Sequence, residues 1–308
     1  MVSLAPAVRV TGARLGRARA YVALTKPRII ELLLVTTLPT MVVAQHGLPP
    51  LGLIVATLVG GALAAGGANA VNMYVDRDID RLMRRTQNRP LVTGAVTPGA
   101  ALVFACALEV VAFVVLWGLV NLLSALLALG ATAFYVGVYT VWLKRRSTQN
   151  IVIGGAAGAV PVLVGWSAVT GSLSWAPVVL FAAIFVWTPP HFWALAIRYR
   201  DDYEAAHVPM LPVVAPPARI AANILGYTVA LVAVSLLFVP VAHMGVVYLV
   251  FAATAGAAYL AQAARLWVLA RRPLPIEREA MRLFGYSITY LTLLFGAMAL
   301  DVFVRRIH

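Results

Sequence analysis

The sequence predicts an all-α polytopic membrane protein with nine transmembrane helices. Three observations lead there. Of 308 residues, 62% are hydrophobic and only 11% are charged, whereas a soluble domain carries roughly a quarter charged residues. The apolar residues fall in long runs of the ~20 residues that a bilayer span requires, and the mean hydropathy of the chain is +0.90. The basic residues gather in every second connection between those runs.

The runs lie at about 28–46, 52–75, 99–118, 121–142, 150–170, 175–198, 219–240, 244–270 and 283–303. They are too long and too uniformly apolar for barrel strands, which alternate in polarity. Helices are therefore the spans expected. Residues 1–24 hold Arg9, Arg14, Arg17 and Arg19 and no acid. No apolar core with a small-residue cleavage site follows at the usual spacing. This stretch reads as a retained, mostly disordered cytoplasmic tail, with a mitochondrial presequence as the lesser alternative. Residues 25–308 read as one transmembrane domain.

Charge sets the orientation. Of the 24 lysines and arginines, all but Arg305 and Arg306 fall in the tail and first-helix start, the 2–3, 4–5 and 6–7 loops, and the 8–9 region. Basic loops stay in the cytoplasm, so the amino terminus and these loops are expected inside and the carboxyl terminus outside. The net charge of +13 is then topological, and no nucleic-acid partner is implied. The single cysteine, Cys106, excludes disulfide, zinc-cluster and iron–sulfur frameworks.

Six of the eleven acids form two clusters: Asp76, Asp78 and Asp80, then Asp201, Asp202 and Glu204. Both follow a span on the cytoplasmic side, after the second and the sixth, and both are embedded in arginines. Asn72, Asp76 and Asp80 recur every fourth residue, so a continuing helix stacks them on one face and turns Asp78 away. Stacked carboxylates repel. Either salt bridges to neighbouring arginines compensate them, or a divalent cation does; magnesium takes one or two carboxylates and leaves room for phosphate oxygens. The two clusters, four spans apart, also suggest two related four-helix halves. Lys144-Arg145-Arg146 is either a positive-inside anchor or, with Arg89, a cationic partner for a leaving diphosphate.

Trp187-Thr188-Pro189-Pro190-His191-Phe192-Trp193 lies inside the sixth span. Two prolines there interrupt the hydrogen-bond ladder, which is tolerated where backbone lines a cavity. His191 reads as a hydrogen-bonded packing residue, as a wall of a large aromatic-ligand pocket, or as an iron ligand. Glu31 and Glu109 are acids inside apolar runs with no assigned role.

Asn72-Met73-Tyr74-Val75-Asp76-Arg77-Asp78-Ile79-Asp80, followed by Arg85-Thr86-Gln87-Asn88-Arg89-Pro90, resembles the first signature of the UbiA-type intramembrane prenyltransferases. Leu143 to Gly155, Trp187 to Trp193, and Asp201-Asp202-Tyr203 with Pro209-Met210-Leu211-Pro212-Val213 resemble the haem-farnesylating branch of that superfamily. The resemblance implies nine helices around a central cavity capped on the cytoplasmic side, in a bacterial inner membrane. It implies farnesyl diphosphate as donor, magnesium as cofactor and haem B as acceptor, giving haem O for an enzyme that converts haem O to haem A. Carried over by position, Asn72, Asp76 and Asp80 hold one magnesium, and Asp202 with Asp201 holds another. Asn72, Asp76, Asp80 and Asp202 are the catalytic set. Arg85, Arg89, Lys144 and Arg145 meet the diphosphate, and His191 and Trp193 line the substrate pocket. The second signature of the superfamily is often a spaced acid pair; here it reads Asp201-Asp202-Tyr203-Glu204. Rival readings are a prenyltransferase acting on a quinone or chlorophyll precursor, a secondary transporter, and a non-catalytic assembly subunit. A transporter is expected to carry its acids near the bilayer midplane, not at one edge.

Overall fold

The computed structural model describes residues 16–273 and 275–307, the side chains at 28, 29, 31–34, 306 and 307 excepted. Among the described residues the secondary structure is entirely helical. The long helices are α2 (Pro27–Gln45), α3 (Leu51–Val75), α4 (Pro98–Leu119), α5 (Leu122–Ala133), α6 (Asn150–Thr170), α7 (Trp175–Arg198), α10 (Pro217–Val241), α11 (Val246–Leu269) and α12 (Glu277–Ile307). Among the described residues three short α-helices sit among the loops, α1 (Arg17–Leu24), α8 (Arg200–Ala205) and α9 (Leu211–Val214), with a 3-10 turn at Ile79–Arg81. α5 passes without a break into a ten-residue π-helix, Phe134–Leu143.

One expectation is corrected. Among the described residues eight helices, not nine, are long and apolar enough to cross a membrane. The exception is α2, which occupies the first expected span. Its side chains at 28, 29 and 31–34 lie outside the described residues. Of the expected tail, 1–24, the structure describes residues 16–24. Arg17–Leu24 forms α1, because Ala20 and Leu24 share one face and bury it against Ala70, Met73, Ala101 and Ala105 of α3 and α4. The rest of the tail, 1–15, and the side chain of Glu31 lie outside the described residues.

Local chemistry sets the helix ends. Pro27, Pro98 and Pro217 occupy first-turn positions, where the missing N–H is no loss. Asn121 caps α5 by accepting from the Ser124 N–H at 2.8 Å. Gly171 closes α6 with φ +66°, a conformation that costs glycine nothing. α7 runs unbroken through Pro189 and Pro190.

α2 packs on α3, α6 and α12; α6 on α5 and α7; and α7 on α10 and α12, so the last helix returns to the first long one. Small residues let these helices approach, as in membrane bundles generally: a Cβ on Gly165 of α6 would lie 2.8 Å from the Thr37 carbonyl oxygen of α2. The outward face is apolar. On α4, Val103, Val110, Val114 and Trp117 are all exposed, a stripe at helical spacing that suits lipid.

Candidate active site

The site is built on the end of α3. The helix formally stops at Val75, but its hydrogen-bond register continues. The Asp76 N–H donates to the Asn72 carbonyl and the Asp80 N–H to the Asp76 carbonyl, each at 2.9 Å. Asn72, Asp76 and Asp80 are therefore stacked, and all three are buried. Asp78, half a turn round, has a side chain 60% exposed.

Each stacked group has its own cation, drawn from a separate segment. Lys144, at the end of the π-helix, donates to Asp76 Oδ2. The loop after Asp80 folds back so that Arg89 Nη1 donates to both Asp80 oxygens, at 2.8 and 2.7 Å. Lys26 Nζ donates to Asn72 Oδ1 at 2.8 Å. Asn72 Nδ2 donates to Asp76 Oδ2 at 2.8 Å and to Thr140 Oγ1 at 3.1 Å. An ammonium on one end of this amide and a carboxylate on the other admit only this orientation. Burial, and then the charges of Arg89 and Lys144, hold the Lys26 ammonium well below the usual lysine range against the pull of Asp76 and Asp80.

Arg145 forms a fork on Asp78, at 2.7 and 2.6 Å. These bonds hold the Asp78 carboxyl at about 2. The second acid cluster meets the loop that follows the first through Arg85. Its backbone N–H donates to Asp202 Oδ2 at 3.3 Å, its guanidinium donates to the Tyr203 hydroxyl at 3.4 Å, and it lies over the Tyr199 and Tyr203 rings. Asp201 is exposed. Among the described residues no three carboxylate, imidazole or thiol groups converge closely enough to hold a metal ion by themselves.

His191 and Trp193 lie apart from this cluster, in the apolar core around α7, α10 and α12. His191 stacks on Trp187 and Phe284, with centroids 4.2 and 4.6 Å apart. Its Nδ1 is 2.6 Å from Ser287 Oγ. Trp193 packs edge-on against Tyr227. These contacts are those of hydrogen-bonded or packed core residues.

The chain matches the UbiA prenyltransferase family over residues 33–288. It belongs to that family. Among the relatives of this UbiA family member is the protoheme IX farnesyltransferase of Frankia alni, 58% identical over 286 residues, which cover 93% of this chain and 98% of that one. The protein of the same name from Pseudarthrobacter chlorophenolicus is 56% identical over 288 residues, covering 94% of this chain and 90% of that one. Among solved structures, digeranylgeranylglyceryl phosphate synthase superposes with a TM-score of 0.76 at 16% identity, covering 94% of this chain and 99% of that one. A UbiA homolog from Archaeoglobus fulgidus bound to DMAPP and Mg2+ gives 0.62 at 18% identity, covering 91% and 99%. At such identity these two structures speak for the fold.

The oxygen set of this UbiA family member suits a hard divalent cation. Asn72, Asp76 and Asp80 offer amide and carboxylate oxygens on one face. One of these, Asp76 Oδ1, is buried with no hydrogen-bond partner among the described residues; Arg145 Nη2 lies 3.7 Å away. A buried carboxylate oxygen left without a hydrogen bond is costly, and a metal bond removes that cost. Two residues of the cluster escape a sequence-level search. Lys26 precedes Asn72 by 46 positions, and Thr140 carries no motif of its own. The isolated Thr25-Lys26-Pro27-Arg28 stretch is the only signal for the first, and nothing in the sequence signals the second.

Proposed function

We propose that this protein transfers the farnesyl group of farnesyl diphosphate to a vinyl group of haem B, with addition of water, giving haem O and diphosphate. The observation that carries the proposal is the buried Asn72–Asp76–Asp80 row with a ring of cations at one helix end, in a chain 58% identical to a protein named protoheme IX farnesyltransferase. Asn72, Asp76 and Asp80 hold a divalent cation, taken to be magnesium. Asp202, with Asp201, would hold a second. Such ions supply Lewis-acid charge to the leaving diphosphate.

The chain's own residues do the rest. Arg85, Arg89, Lys144 and Arg145 approach the acid rows from two loops and present preorganised positive charge to the diphosphate oxygens, which is usually the largest catalytic contribution. The farnesyl C1–O bond breaks with its electron pair on diphosphate. C1 then bonds to the terminal vinyl carbon of haem B. The cation left on the inner vinyl carbon is captured by water, which loses a proton. The apolar helices keep bulk water from the allylic cation before the vinyl group attacks. His191 and Trp193 belong to the aromatic wall on the α7 side. The working face is cytoplasmic, in a bacterial inner membrane, and haem O passes to the enzyme that makes haem A.

The test is haem extraction from cells expressing the protein, followed by chromatography for haem O, with Asp76→Ala and Asp80→Ala beside the wild type. Wild-type cells accumulate haem O. Each variant loses at least about 100-fold, the scale on which a preorganised charge contributes. Undiminished haem O formation with either variant sinks the metal assignment, and a prenylated quinone in place of haem O sinks the acceptor.

A further inference from the structure

Lys26 is unusual in three ways. It adopts the left-handed conformation, with φ 53° and ψ 63°, although it is neither glycine nor asparagine. Such a backbone is unfavourable for a residue with a Cβ and persists only where the surroundings over-determine it. It donates to a buried amide oxygen 46 residues away. Its segment is also docked along a single face of α3. The Thr25 side chain lies where a Cβ on Gly66 would meet it at 3.2 Å, and the Thr25 carbonyl accepts from Asn69 Nδ2 at 3.1 Å. Gly66, Asn69 and Asn72 thus seat three consecutive features of the α1–α2 junction, and the third seat is the first residue of the acid row.

That placement sets up a competition. The oxygen that Lys26 holds, Asn72 Oδ1, is the oxygen the amide would offer a metal, because Asn72 Nδ2 is committed to Asp76 and Thr140. Asp76 and Asp80 stand in the same relation to Lys144 and Arg89, but those cations come from loops expected to meet the diphosphate. Lys26 comes from the junction between two helices, and its bond is to the neutral member of the row.

We propose that Lys26 is a positioning residue that acts as the internal counter-cation of the metal-free site. It fixes the orientation of the Asn72 amide and competes with the divalent cation for Asn72 Oδ1. The metal-free row is thereby kept compact, at the expense of affinity for metal alone. This inference rests on the reading of Asn72, Asp76 and Asp80 as metal ligands.

The test needs no turnover. Purified full-length protein in detergent is titrated with MgCl2 alone, without diphosphate, and thermal unfolding gives the magnesium concentration of half-maximal stabilisation. Lys26→Met removes the competitor. Its metal-free unfolding temperature falls, while its half-saturating magnesium concentration drops about tenfold, a factor equivalent to about 1.4 kcal/mol. Arg81→Gln removes an exposed charge from the loop just after Asp80, and a purely electrostatic effect would act there too. Its half-saturation stays within about twofold of wild type, as expected for a screened surface charge. An unchanged or raised half-saturation in Lys26→Met overturns the inference, as does an equal drop in Arg81→Gln or a wild type that magnesium does not stabilise. Should Lys26→Met not fold, Lys26→Gln, which keeps a donor to Asn72 Oδ1 without the charge, is read the same way. Failure of both to fold assigns Lys26 to structure alone and overturns the competition. Haem O formation by the wild-type preparation separately decides the proposed reaction, so the two readings fail independently.

Discussion

Asp76 and Asp78 are two residues apart and have opposite environments. The first is fully buried and faces Asn72 and Lys144; the second is exposed and clamped by Arg145. The spacing of four was enough to predict this division, because the helical register carries past the formal end of α3. It leads to a discriminating prediction. Asp78→Asn is expected to keep haem O formation within about fivefold of wild type, since an exposed ion pair contributes at most about 1 kcal/mol, whereas the Asp80 substitution abolishes it. The pH dependence follows from the same bonds. Arg145 lowers the Asp78 carboxyl from 3.8 to about 2. A depressed carboxylate stabilises the fold above its unfolded value and loses that contribution only as pH falls through the folded one. Thermal unfolding of Asp78→Asn should therefore track wild type in slope from about pH 5 to 9. A changed slope there would place Asp78 inside the buried network.

At the scale of elements, the spans were legible because bilayer thickness leaves little choice of length. The expected runs at 150–170 and 175–198 coincide with α6 and α7, and most others shift by one or two residues. What the sequence concealed is how one element changes type. The second half of the fourth span is a π-helix, and no periodicity announces it. Its wider turn gives Lys144 N–H a bond to the Tyr139 carbonyl at 2.8 Å and Thr140 Oγ1 a bond to the Tyr135 carbonyl at 2.9 Å. Both are five residues back, and both residues end on the acid row. π-segments tend to occur at functional sites. Here the segment is seated against α6 through Gly154, where a Cβ would lie 2.3 Å from Tyr139 Cδ2. Gly154→Ala must displace the ring, and with it the backbone that carries Lys144. We expect a stability loss of about 1–3 kcal/mol from the overpacking and at least about a tenfold fall in haem O formation, since charge placement dominates such sites. Gly158→Ala, one turn along α6 with open space around it, should do neither. Melting curves and haem chromatography on both variants check this. A Gly154→Ala protein that is less stable yet equally active would separate the π-helix from the chemistry.

Over the whole molecule, two kinds of information were separable in the sequence and one was not. Apolar runs and alternate basic loops are local, and they gave the bundle and a sidedness. The pairing of Lys26 with Asn72 and of Arg85 with Asp202 spans 46 and 117 positions, and nothing local encodes it. Sidedness has a consequence for chemistry, because the farnesyl donor is a diphosphate that an apolar bilayer does not pass. The ends of α3, the π-helix and α7 that carry Asp76, Lys144 and the turn to Asp202 all precede basic loops. On the orientation that the positive-inside bias predicts, the site and its charged substrate lie in the same compartment. Single cysteines report this directly. In a Cys106→Ser background, which removes the native exposed thiol, Gln149→Cys lies at an exposed position beside the site and Ser172→Cys at an exposed turn at the other end of α6. A membrane-impermeant maleimide added to intact cells should label the cysteine at 172, and the one at 149 only after permeabilisation. The reverse pattern would put the acid rows outside, away from cytoplasmic diphosphates, and the proposed donor would fail with it even if every contact around Asp76 is as described.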